Sequence, residues 1–129
     1  MTPEAERFLP KARLTLDHAR LMPTVDLTED AGRAAYSAAY QATQALIFER
    51  TGKVTKTHKG ANTEFARIVR NEPRIDAELR QFLPAAYDLK AICDYETGPD
   101  AVVPRERAVA AVATAERFVE CIAGLLAPD

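Results

Sequence analysis

Residues 50–60 carry four cations, Arg50, Lys53, Lys56 and Lys59, with His58 among them and no acidic residue. The run ends where a helix is expected to begin, so the cations would lie beside free backbone N–H groups, a setting able to hold an anion such as a phosphate. The same run also suits a solvated loop whose lysines touch nothing, with His58 hydrogen-bonding to fix it. A second group is Lys90, Asp94 and Tyr95. Lys90 and Asp94 are four apart, which on a helix places them on one face within ion-pairing reach, while Tyr95 points elsewhere and can hydrogen-bond across to another helix. Structurally this is an ion pair. Functionally, Lys90 would neutralise a phosphate and Tyr95 would stack on a base or donate its proton. Tyr36 and Tyr40, also four apart, suit either a core or a ligand platform, and their hydroxyls need partners if buried.

Other chemistries lack their residues. A di-metal carboxylate site in a helix bundle needs Glu-x-x-His pairs on two helices, but Thr15 stands three residues before His18 and Thr55 three before His58. Cys93 and Cys121, 28 positions apart, and two isolated histidines show no zinc-ligand spacing. Both cysteines fall in apolar helical patterns and are expected to be buried thiols. Phosphate-loop and dinucleotide signatures are missing, and five scattered glycines form no Gly-rich cradle. No metal and no cofactor is expected.

The elements that must position these groups read as helices throughout. The chain has 129 residues, 47% apolar and 28% charged, a balance that fits one soluble globular domain over residues 1–129 and excludes disorder. Seventeen basic against nineteen acidic residues give a net charge of −2, so nucleic acid would have to be met by a local patch. No stretch reaches the length of a membrane helix, and Glu4, Glu6 and Arg7 stand where a signal peptide would be apolar, so a cytoplasmic location without membrane contact is expected.

Apolar residues recur at three- and four-residue spacing, and strand-like alternation is absent. The pattern predicts a helix over 3–22, capped by Thr2, with Pro10 bending it or shifting its start. A second covers 27–50, where alanines beside Tyr36 and Tyr40 permit a close helix crossing and Gly52 follows as a left-handed cap. A shorter third starts near His58, capped by Thr57 and carrying Phe65, Ile68 and Val69 inward. A fourth spans 76–95, kinked or split at Pro84 and closed by Gly98 and Pro99. The last runs over 104–126 with Pro104 at its first position. The expected fold is all-α, an antiparallel up-and-down four-helix bundle with one shorter accessory helix.

The order Arg33-Ala34-Ala35-Tyr36, Ala39-Tyr40, Ala45-Leu46, Gly52, Lys56-Thr57-His58-Lys59-Gly60, Phe65 and Asp94-Tyr95, followed by an amphipathic terminal helix, resembles the HEPN family, in particular its small stand-alone prokaryotic members. The resemblance implies a helical bundle that commonly forms homodimers and is often encoded beside a small nucleotidyltransferase as a toxin and antitoxin pair. Some members of the wider family are metal-independent ribonucleases that use an Arg, four to six residues, then a His in the late part of the bundle. There the His moves the 2′-hydroxyl proton and the Arg holds the scissile phosphate.

Here the corresponding stretch reads Lys90-Ala91-Ile92-Cys93-Asp94-Tyr95, without His and with Lys in the place of Arg. The literal Arg-x4-His, Arg13 to His18, lies in the first helix, where the family does not place its site. The departure argues against ribonuclease activity. The expectation is therefore a binding module for a nucleotide, an RNA or a partner protein, with Arg33, Tyr36, Lys56, His58, Lys59, Lys90 and Tyr95 as candidate nucleotide or RNA contacts. One alternative is an RNA endonuclease with a nonstandard site, drawing on His58 or His18 as base, Lys90 or Lys56 on the phosphate, and Asp94. Another is a plain protein-interaction bundle. A histidine reaching the late-bundle groove from elsewhere, beside a cation, would overturn the expectation of inactivity.

Overall fold

The computed structural model describes residues 1–98 and 102–127. The expected role of Pro99 in closing the fourth helix lies outside the described residues. Among these residues five α-helices form, α1 (Pro3–Leu21), α2 (Thr28–Thr51), α3 (His58–Ile68), α4 (Ala77–Tyr95) and α5 (Arg105–Leu126), with one 3-10 turn at Met22–Val25. No strand occurs among the described residues.

The helix starts follow local chemistry. The side chains of Thr2, Thr57 and Asp76 accept from the backbone N–H of Ala5, Gly60 and Leu79, each satisfying an orphan donor of the first turn. Gly52 ends α2 at φ 73°, the left-handed conformation a side chain would oppose. Pro104 caps α5 rather than opening it.

Neither internal proline interrupts its helix. α1 is continuous through Pro10 and does not start there, because both Pro10 and Glu6, whose carbonyl the ring leaves unpaired, are exposed to water. α4 is not split at Pro84 either, since Leu79, Phe82, Leu83, Ala86 and Leu89 are buried on both sides of the ring and hold the two halves on one core.

Pairs of contacting residues give the direction of each helix. Thr2 meets Glu49 and Thr15 meets Gln41, so α1 and α2 are antiparallel. Arg33 meets Asp94 while Tyr36 meets Tyr87, so α2 and α4 are antiparallel. Arg13 pairs with Glu120 and Arg20 with Glu116, which sets α5 antiparallel to α1. The order is up-and-down, with α3 packed on α2 and α4.

α2 is the central helix and packs on all four others. It also touches α5 directly, although these two would be diagonal in a square bundle. The close approach is permitted by the fully buried alanines Ala31, Ala35, Ala38, Ala39, Ala42 and Ala45 of α2, with Ala108 and Ala115 on α5. Larger side chains fill the remaining core, and α3 is fastened through Phe65, whose ring lies 5.4 Å from that of Phe118, itself 5.7 Å from Phe82. Cys93 is buried as expected, but Cys121 is only half-buried and its Sγ sits 3.6 Å from the Arg74 carbonyl oxygen.

Candidate functional site

His58, the first residue of α3, is carried against α2 and α4 by the cap at Thr57 and by a clamp on the preceding loop. The Gln44 amide donates to the Thr55 carbonyl at 2.7 Å and accepts from the Thr55 backbone N–H at 3.1 Å and hydroxyl at 3.3 Å. The Tyr40 hydroxyl donates to the same carbonyl at 3.3 Å. Gly60 is small for a reason, because a Cβ there would stand 3.1 Å from the capping Thr57 hydroxyl oxygen.

So held, the His58 ring stacks on Tyr87 of α4, centroids 3.8 Å apart and planes inclined by 12°. Its Nδ1 lies 3.1 Å from the Tyr36 hydroxyl of α2. Tyr36 meets the edge of Tyr87 at 5.5 Å and Tyr40 at 5.8 Å, so three helices contribute to one aromatic cluster. Burial pushes the His58 imidazole below its ordinary range, against a smaller opposing pull from Asp88, and pushes the Tyr36 hydroxyl well above the usual tyrosine range, helped by Tyr40 and Tyr87. Both groups are therefore neutral at physiological pH.

One turn along α4 from Tyr87, the Lys90 ammonium donates to Asp94 at 2.5 Å. The other Asp94 oxygen accepts from Nε of Arg33 at 2.6 Å. Asp94 lies below the usual carboxylate range through its hydrogen bonds from Lys90 and then Arg33, and both cations are raised by their bonds to it. Arg33 further donates to Asp30 at 2.7 Å and to the Cys93 carbonyl at 2.8 Å, and has Glu29 at 3.5 Å. Its guanidinium ties α2 to the end of α4.

The structure thus gathers Tyr36, His58 and Lys90 on the α3–α4 side of the bundle, with Arg33 and Asp94 beyond them. The side chains of Lys56 and Lys59 are exposed and their ammonium groups hold no partner among the described residues. Tyr95 is 75% exposed and reaches across to no other helix among the described residues. His18 is exposed on α1, and Arg13 beside it is occupied by Glu120. Of the cations in residues 50–60, the Arg50 guanidinium turns away from the lysines to the Leu125 carbonyl, 3.5 Å away.

Sequence reasoning missed Tyr87, Gln44 and Asp88. Tyr87 precedes Lys90 by three residues, a spacing that places both on one helical face, so a signal for it was present. The clamp of Gln44 on Thr55 crosses from a helix to a loop and has no such spacing rule.

The family model described as HEPN domain matches residues 5–125. No curated protein matches the chain.

Proposed function

This chain belongs to the HEPN domain family, and from that membership we propose that it is a helical module that binds a nucleotide or single-stranded RNA on its α3–α4 side. The observation that carries the reading is the stack of His58 on Tyr87 with Lys90 one turn away, which sets an aromatic surface beside a cation. Bases stack on aromatic rings irrespective of sequence, and a lysine offers its charge to the adjoining phosphate. Tyr87 is 38% exposed although one of its faces is covered, so ring surface is left for a base. Because Asp94 already engages Lys90, the stack supplies more of the binding than the charge does.

Fluorescence anisotropy with a labelled single-stranded oligoribonucleotide tests the reading. Binding is expected to weaken about tenfold for Tyr87→Ala, in keeping with the worth of one stacked base, and to fall only gently with added salt. Binding that is indifferent to both Tyr87→Ala and Lys90→Ala would overturn the site.

Within the same proposal the chain acts as a homodimer and as the HEPN half of a toxin and antitoxin pair with a small nucleotidyltransferase. Support comes from the family resemblance and is checked by light scattering and by the identity of the neighbouring gene. A second reading, a metal-independent RNA endonuclease, is favoured by one observation: His58 reaches the late-bundle helix from elsewhere through Tyr87, although the cations there, Lys90 and Arg33, are both engaged by Asp94, so the histidine has no free cation beside it on that helix. Cleavage of labelled RNA in chelator, abolished by His58→Ala, would establish that reading in place of the first.

A further inference from the structure

We infer that the Tyr36 hydroxyl donates into Nδ1 of His58 and so locks the imidazole in the tautomer protonated at Nε2, which presents a neutral N–H donor to solvent for a phosphodiester oxygen. The inference rests on the proposed function for its ligand, but not for its tautomer.

The argument is a count of protons. Tyr36 is 7% exposed, its hydroxyl stays protonated because burial disfavours the phenolate, and its hydrogen-bond partner among the described residues is Nδ1 of His58 at 3.1 Å. A neutral imidazole carries one proton on one of two nitrogens. If Nδ1 held it, two donors would face each other unless the hydroxyl turned its own proton elsewhere. The neighbouring Tyr40 hydroxyl is already directed at the Thr55 carbonyl, so an O–H of Tyr36 turned away from Nδ1 would meet no acceptor among the described residues, which is costly on a half-buried group. The arrangement that satisfies both groups has Tyr36 donating and Nδ1 accepting. The imidazole proton is then on Nε2.

The remaining surroundings select the ligand. Tyr87 covers one face of the ring and Tyr36 its Nδ1 edge, while Nε2 has no hydrogen-bond partner among the described residues. Lys59 follows His58 in the chain, Lys56 precedes it by two, neither ammonium is paired among the described residues, and Lys90 is one turn from Tyr87. Asp88 is the carboxylate whose charge His58 feels. Lys90 is already paired with Asp94, so it is the two unpaired lysines flanking His58 in the chain, set against Asp88, that favour an anionic oxygen over a neutral carbonyl. A protonated Nε2 on a neutral ring can bind that oxygen but has no lone pair there to take a proton from a 2′-hydroxyl. Tyr36 is thus a positioning residue that inclines the site towards holding RNA rather than cutting it.

The test begins with the full chain labelled with nitrogen-15 and two-bond proton–nitrogen correlation of its imidazoles near pH 7.5, about one unit above the ordinary histidine value. His58 is expected to show a pyrrole-like Nε2 and a pyridine-like Nδ1. The reverse pattern overturns the inference. Tyr36→Phe, verified as folded by its circular dichroism melt, is expected to average the two tautomers, and an unaltered pattern overturns the role of Tyr36. The second measurement uses the labelled oligoribonucleotide. His58→Gln, whose amide N–H stands where Nε2–H stood, is expected to bind within about threefold of wild type, and His58→Ala about tenfold more weakly, the range of one hydrogen bond to a charged group. Equal loss in both overturns the donor role. A chain that shows the Nε2–H tautomer yet binds no oligonucleotide supports the tautomer and overturns the phosphodiester ligand, and the proposed function with it.

Discussion

The imidazole of His58 lies flat on the ring of Tyr87, 3.8 Å between centroids, although the two residues belong to different helices joined through another turn. Neither residue could hold this position alone. Thr57 and Gln44 fix the chain on one side, and the buried run from Leu79 to Leu89 fixes α4 on the other. The pair is therefore a sensitive reporter of how α3 sits on the bundle.

The first prediction concerns pH. Burial lowers the folded-state affinity of His58 for its proton, so the unfolded chain binds that proton more readily. Stability from this group is complete above the unfolded value of about 6.5 and is lost as pH falls through the lower folded value. In an imidazole titration by NMR, His58 should have its midpoint below the ordinary range, and Tyr87→Ala should move it upward by relieving the burial. A midpoint unmoved by Tyr87→Ala would contradict the stated cause.

The loop clamp gives the second. Gln44 is buried and makes three hydrogen bonds to Thr55. Gln44→Ala should cost about 1–3 kcal/mol, because it strands a buried carbonyl and amide. Urea unfolding measures the cost, and hydrogen exchange at the Thr55 amide should accelerate far more than exchange within α5. Uniform acceleration would mean that Gln44 stabilises the whole bundle rather than this loop.

Phe65, 1% exposed and packed on Phe118, is the main apolar anchor of α3. Phe65→Ala should destabilise the protein by about 3–5 kcal/mol. The stack of His58 on Tyr87 should loosen at the same time, seen as an upfield aromatic shift that disappears. A small cost would show that α3 is held by its loops.

Asp94 supplies the fourth. Lys90 and Arg33 share its two oxygens and hold its carboxyl below the usual range. A depressed carboxylate adds stability above its unfolded value and loses it as pH falls through the folded one. The difference in urea midpoint between wild type and Asp94→Asn should therefore be present at neutral pH and shrink on acidification below about 3.9, the ordinary aspartate value. A difference independent of pH would assign the effect to packing rather than charge.

Much of the architecture was legible in order along the chain. Thr2, Thr57, Gly52 and the regular spacing of alanines announced their helices because caps and amphipathic faces are local, depending on residues within one or two turns. The ion pair of Lys90 with Asp94 was legible for the same reason. That α1 does not start at Pro10 and α4 is not split at Pro84 was hidden from the sequence, because a proline's cost depends on whether the freed carbonyl meets water and whether the flanking turns are held by the core, and both are properties of the packed molecule.

The site divides along the same line. Which residues could meet an anion or a base was set by residue type, and His58, Lys90 and Tyr36 were candidates from their chemistry alone. That Tyr36 meets His58 across 22 positions, that Tyr87 joins them, and that Arg33 spends its guanidinium on Asp94, Asp30 and the Cys93 carbonyl was decided only when α2, α3 and α4 came together. Helical periodicity relates residues three and four apart, whereas the distance between side chains on separate helices follows from how closely the alanine faces of α2 let its neighbours approach.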